Sequence, residues 1–185
     1  MNRRRLILAG TALAGAAALN SQSVIGAVSG ASKRNDAFRR IALYNLHTDE
    51  HLDIEYFRDN AYLSEPLARL QVFLRDFRTA EQHTIDPELL DYLVDVAQEL
   101  GVPPSFSVIS GYRSPHTNEH LHEVGSGVSQ RSLHMQGRAI DVRMTGVDCA
   151  VLAARARDLM RGGVGYYGAS NFVHMDTGAY RTWNG

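Results

Sequence analysis

Two stretches of alternating residues set the strongest limits on what this chain can fold into. Ala139-Ile140-Asp141-Val142-Arg143-Met144 reads as a strand, and its period of two sends Asp141 to the face opposite Ile140 and Val142. Phe172-Val173-His174-Met175-Asp176 reads the same way, with His174 and Asp176 on one face and Val173 and Met175 on the other. Ahead of the first strand, Ser132-Leu133-His134-Met135-Gln136-Gly137-Arg138 brings a second imidazole, and Gly137 lets the chain turn sharply between His134 and Asp141. Two histidines and one aspartate form a three-donor set that suits zinc and leaves a fourth position for water, the catalytic arrangement. His134, Asp141 and His174 are therefore read as the ligands of a mononuclear zinc hydrolase.

A lone His–Asp pair is more often a hydrogen-bonded structural pair than a metal site. The full pattern is more specific: Ser-x-His-x-x-Gly-x-Ala-x-Asp, then a glycine-rich strand, then His-x-Asp. Together with Ser110-Gly111-Tyr112-Arg113-Ser114 and Gly162-Gly163-Val164-Gly165-Tyr166-Tyr167, it resembles the lysostaphin, D-Ala-D-Ala metallopeptidase and sonic hedgehog superfamily. Within that superfamily the three motifs, in their order, are similar to the YcbK-like (MepK-like) murein endopeptidases over most of the chain after about Arg40. The resemblance implies a zinc peptidase acting on peptidoglycan stem peptides in the periplasm. It also implies a functional Arg113, because the family's arginine occupies that motif. A forked guanidinium beside the metal would hold a substrate carboxylate or steady an oxyanion. The bland alternative for Arg113 is a surface ion pair contributing little.

The first segment stands apart from the fold. Arg3-Arg4-Arg5 followed by Leu6-Ile7 and an Ala/Gly-rich run reads as a twin-arginine signal peptide over residues 1–31, with candidate cleavage near Ala27 or Ala31. The apolar run is too short to favour a spanning helix, so no stable membrane span is expected after processing. Residues 32–185 then form the peptidase domain. Its Lys+Arg count falls from 19 to 16 against 20 Asp+Glu, about −4, which leaves no basic stripe for nucleic acid. Cys149 is the single cysteine, excludes an internal disulfide, and reads as a small buried hydrophobe; a monomer is expected.

The rest of the chain predicts an α+β fold, a mainly antiparallel sheet with helices on one side, hedgehog- and D-Ala-D-Ala-peptidase-like by resemblance. A mobile lead-in over residues 33–39 precedes a hairpin spanning Arg40–Asn45 and Leu52–Tyr56. Ser64 is the expected N-cap of a helix carrying Leu67, Leu70, Phe73, Leu74 and Phe77. Asp86-Pro87 opens a second helix closed by Gly101, and Phe106–Ile109 is a buried strand. A later helix over residues 148–161 is expected to bury Ala150, Val151, Ala154 and Leu159. The loop around Gly125 and Gly127 is the expected source of substrate contacts or a lid.

His116-Thr117-Asn118-Glu119-His120 fits a metalloprotease helix pattern, H-x-x-E-H. By resemblance that class needs a downstream glutamate, and the chain has none after Glu123, so His116, His120 and His122 are read as a solvated segment over the cleft. For the proton, Asp176 is the candidate catalytic group, since it stands two residues from His174 on the same strand face. The competing role is orientation of the His174 ring, or a pair with Arg181. Many members of the wider superfamily carry a glutamate just before the final histidine; Ser170-Asn171-Phe172-Val173 stands there instead. Tyr166 and Tyr167 alternate, so one faces the cleft and the other the core. The rival functions are a zinc-stabilised peptidoglycan-binding module without catalysis, a D-Ala-D-Ala carboxypeptidase, and a non-haem iron oxygenase using a facial triad. The cross-link cut, D-Ala–diaminopimelate or diaminopimelate–diaminopimelate, stays open at this level.

Overall fold

A computed structural model describes residues 38–124 and 128–185, all within the compact unit Arg34–Gly185. The signal-peptide expectation, most of the lead-in, and Gly125 to Gly127 of the loop lie outside the described residues. The hairpin is present as β1 (Phe38–Asn45) and β2 (His51–Arg58), paired antiparallel, with a short β3 (Ala61–Tyr62) added beyond it. Helix α1 (Ser64–Phe73) and helix α2 (Pro87–Glu99) follow, then β4 (Ser105–Ser110) and helix α3 (Pro115–Glu123). A 3-10 turn (Leu133–Gln136) leads into β5 (Ala139–Met144). Helix α4 (Cys149–Asp158), β6 (Gly163–Tyr167), β7 (Phe172–Asp176) and β8 (Arg181–Asn184) complete the chain.

The eight strands form one sheet in the order β3-β2-β1-β4-β5-β7-β6-β8. Most neighbours are antiparallel; β1–β4 and β6–β8 are parallel. The alternation seen in the sequence sorts the two faces. Ile41, Leu43, Ile54, Val108, Ile140, Val142, Val164, Val173 and Met175 are buried on the core side, in one cluster with residues of α1, α2 and α4. The Tyr92 hydroxyl of α2 donates to the Ala156 carbonyl of α4 at 2.6 Å, which locks those two helices together under the sheet. Asp141 and His174 point away from this core, so α1, α2 and α4 occupy one face and these polar groups the other, while α3 meets the cleft residue Arg113 through Asn118. Among the described residues no helix is long and apolar enough to cross a membrane.

Three local expectations are corrected. Leu63, not Ser64, is the N-cap of α1, and the helix stops at Phe73 rather than reaching Phe77. Beyond Leu74 the chain folds back, with Asp76 N–H on the Glu81 carbonyl and Ala80 N–H on the Asp76 carbonyl. The Asp76 carboxylate takes the N–H of Ser114 at 2.8 Å, a tertiary bond, and of Arg78 at 2.9 Å, a local turn bond, in place of another helical turn. Phe77 instead stacks on His47, with ring centroids 3.9 Å apart. In α4 the buried face is Cys149, Leu152, Ala153 and Ala156, while Ala150, Val151 and Ala154 are exposed. The true stripe follows i, i+3, i+4, i+7 from Cys149, which docks the helix on β5, β6 and β7. Arg181–Asn184, where the sequence carries no clear strand pattern, adds β8 parallel to β6.

Candidate metal centre

Sheet register places the donors. Asp141 on β5 lies directly opposite His174 on β7, and Ser110 at the end of β4 pairs with Asp141 from the other side. His134 comes from the 3-10 turn, whose start is capped by the Ser132 hydroxyl accepting from the His134 N–H. Gly137 ends that turn at φ +65°, and a Cβ there would lie 2.0 Å from the Thr84 carbonyl oxygen, so no other residue fits without moving that backbone. The Ser110–Ser114 segment braces the turn: Arg113 N–H donates to the His134 carbonyl at 3.2 Å, and Gly111 O lies 2.7 Å from His134 Nδ1.

That last contact fixes the imidazole. With Nδ1–H donated to a carbonyl, Nε2 carries the lone pair, and it faces the other two donors. His134 Nε2, His174 Nδ1 and Asp141 Oδ1 form a triangle with sides of 3.2, 2.9 and 3.3 Å. Tetrahedral zinc with bonds of about 2.0–2.1 Å needs donors about 3.3 Å apart. The three residues present thus fit a single ion, and they are the one group of its kind among the described residues. His134, Asp141 and His174 are all buried, yet all three line a cleft of about 690 Å³.

The charges agree with that assignment. Burial holds the His134 imidazole below its ordinary pKa, against the pull of Asp141. For Asp141, burial would raise the carboxyl, but His134 and then His174 outweigh it and hold it ionised, well below the usual range. Burial also works against a charge on His174; hydrogen bonds to Asp141 and Asp176 overcome it and push the imidazole up to about 9. A buried carboxylate between two imidazoles, with one proton to displace, is a donor set able to hold a cation.

Asp176 sits behind His174 and is fully buried. Its Oδ2 lies 2.9 Å from His174 Nε2 and accepts from Arg181 Nη2 at 2.6 Å. Its Oδ1 accepts from Gly163 N–H, Gly178 N–H and Arg181 Nη1 at 3.0, 2.8 and 3.0 Å. Both oxygens are engaged, and the residue does not line the cleft. Arg113 does line it, 8% exposed, with Nη2 3.6 Å from Asp141 Oδ2 and Nη1 on Asn118 Oδ1 at 3.4 Å. Its Nε is buried without a hydrogen-bond partner, and its two Nη groups carry more N–H donors than the contacts to Asn118 and Asp141 use. Burial pushes this arginine below its ordinary pKa, with Asp141 opposing.

His116, His120 and His122 are exposed on α3 and none lines the cleft; His122 Nδ1 lies 2.9 Å from the Val128 carbonyl. Tyr167 lines the cleft, whereas Tyr166 packs against the core. Arg131, Arg138, Phe172, Arg181 and Trp183 also line it and were not singled out by sequence as wall residues. Arg138 joins the rim to the start of α2, bonding Thr177 while Thr177 Oγ1 donates to Asp86 at 2.7 Å. The spacing of Phe172 two residues before His174 carried a signal for this shared face; Trp183 and Arg131 gave none.

The family model described as peptidoglycan L,D-endopeptidase MepK matches residues 33–183. The chain is 38% identical over 182 residues to the peptidoglycan L,D-endopeptidase MepK of Escherichia coli K12, covering 98% of this chain and 97% of the relative. The Shigella flexneri MepK matches at 38% over the same shares. A probable peptidoglycan L,D-endopeptidase MepK of Haemophilus influenzae is 37% identical over 184 residues, with 99% of this chain and 95% of the relative covered.

Proposed function

The chain belongs to the MepK family of peptidoglycan L,D-endopeptidases, and from that premise we propose that it hydrolyses amide bonds in peptidoglycan peptide cross-links with zinc held by His134, Asp141 and His174. The observation that carries the reading is the triangle of donors opening onto an arginine-rimmed cleft. When bound, the ion supplies positive charge that lowers the pKa of a water towards 7 and polarises a carbonyl. The protein's part is to fix the donors. Gly111 O sets His134 to present Nε2, and Asp176 receives His174 Nε2–H so that Nδ1 faces inward. Only one of the three donors is anionic, so the centre keeps a net positive charge.

Asp176 acts in this account as a positioning residue, since a fully buried carboxylate with both oxygens engaged does not reach a substrate proton. Arg113 binds substrate. The spare N–H groups of its Nη atoms suit the carboxylate that remains on the amino acid whose nitrogen is acylated, or the carbonyl oxygen as it gains charge. Among the described residues Asp141 is the sole carboxylate lining a cleft that also presents Arg113, Arg131, Arg138 and Arg181, a field that draws acidic peptides.

Of the two cross-links, the diaminopimelate–diaminopimelate bond joins an L-centre acyl group to a D-centre amine. The D-Ala–diaminopimelate bond joins two D-centres. The relatives' L,D designation supports the first as the substrate of this chain. Peptidoglycan as substrate places the work in the periplasm, and Arg3-Arg4-Arg5 supports export by the twin-arginine route with removal of residues 1–31. The decisive experiment is muropeptide analysis of sacculi treated with the domain of residues 32–185. Separated diaminopimelate cross-links without chelator and none with it are expected. Binding without release of muropeptides would establish a non-catalytic module, and free D-alanine a carboxypeptidase.

A further inference from the structure

Part of the cleft wall is built by β6 and β8. Gly165 of β6 pairs with His174 on one side and with Trp183 on the other, so the three share a row across the sheet. A Cβ on Gly165 would lie 2.4 to 2.6 Å from indole atoms of Trp183. The indole therefore occupies the space a side chain would take, and its ring reaches within 5.1 Å of the His174 ring. Its Nε1–H donates to the Tyr167 hydroxyl at 3.0 Å. Tyr167 is two residues along β6 from Gly165, on the same face, and its ring stacks on Phe172 with centroids 4.5 Å apart.

An indole nitrogen only donates, so the phenol oxygen is the acceptor in that bond and its own proton is left over. Among the described residues no acceptor takes that proton, and the side chain lines the cleft beside His134, Asp141 and His174. We propose that Tyr167, held by Trp183, donates a hydrogen bond to the carbonyl oxygen of the scissile amide. The inference rests on the peptidase reading given above.

The reaction adds one water across the amide to give an acid and an amine, and the phenol keeps its proton throughout. Its bond to the carbonyl oxygen strengthens as that oxygen gains negative charge, so it favours the transition state over the bound substrate. Trp183 is a positioning residue, since it reaches the substrate only through Tyr167.

The test uses the metal-loaded enzyme, a diaminopimelate-cross-linked dimer as substrate, and the variants Tyr167→Phe and Trp183→Phe. Loss of one such donor is expected to lower kcat about 100-fold, with KM within about threefold of wild type and full metal content. Trp183→Phe is expected to lower kcat about tenfold with KM preserved. Trp183 is the single tryptophan, so its fluorescence reports the contact without any turnover, and Tyr167→Phe is expected to change the emission. A kcat for Tyr167→Phe within threefold of wild type, a loss confined to KM, or an unchanged emission overturns the proposal. A wild-type enzyme that cuts no cross-link overturns the peptidase reading instead.

Discussion

Replacing Asp176 with asparagine separates the two roles open to that residue. The carboxylate accepts five hydrogen bonds: two from backbone N–H groups, two from Arg181 and one from His174 Nε2. An asparagine side chain has one acceptor oxygen and one NH2 group. If the NH2 replaces Oδ2 it faces the His174 and Arg181 donors; if it replaces Oδ1 it faces two backbone N–H groups and Arg181. Either orientation leaves buried donors without an acceptor, at about 1–3 kcal/mol of stability. The exposed side of Arg181 recovers part of its loss through water. Weakening the partner of a ligating histidine lowers metal affinity about 10- to 100-fold, which is about 1.4–2.8 kcal/mol. Competition against a chelator of known affinity measures that change, and kcat is then measured at saturating metal. The expected result is weaker metal binding with kcat restored to within several-fold once the site is filled. Undiminished metal affinity with kcat down more than 100-fold at full occupancy would refute the positioning role and make Asp176 a proton-transfer group.

Three further outcomes follow from the same geometry. His134→Ala, Asp141→Ala and His174→Ala are each expected to abolish stoichiometric zinc, read by metal analysis after dialysis; a variant that keeps one ion per chain removes its residue from the ligand set. Gly165→Ala drives a methyl group into the Trp183 indole, so a stability loss of about 1–3 kcal/mol and displaced Trp183 emission are expected in a denaturant titration; unchanged emission would contradict the packing. In the metal-free protein, His174 is held at about 9 against its ordinary 6.5, burial being outweighed by Asp141 and Asp176. A raised folded-state value stabilises fully below about 6.5 and is lost as pH rises through about 9, so the melting temperature should fall across that window. A flat or rising profile would show that His174 holds no proton there.

The polar face of the central strands was legible because alternation is local: Ile140, Asp141 and Val142 must part company whatever the sheet's partners are. The approach of His134 was legible for a similar reason, since Gly137 stands between it and β5. Strand order was not. That Asp141 lies opposite His174 depends on pairing between segments far apart in sequence, as does the parallel placement of β8 on β6. Without β8 there is no reason to see Gly163 and Gly165 as gaps through which Arg181 and Trp183 reach Asp176 and His174. The end of α1 was missed because Asp76 is drawn away by the Ser114 N–H, a bond between segments that sequence spacing does not join. In α4 the small residues on both faces blurred the stripe, and only contact with β5, β6 and β7 distinguishes Ala153 from Ala154.

The three donors do not stand on equal ground. Asp141 and His174 belong to strands hydrogen-bonded on both flanks, while His134 rides on a four-residue 3-10 turn. Short turns of this kind open with far less free energy than the middle of a sheet. Seating of that third donor therefore rests on the segment that braces the turn, where Gly111 O meets His134 Nδ1 and the Arg113 N–H meets the His134 carbonyl.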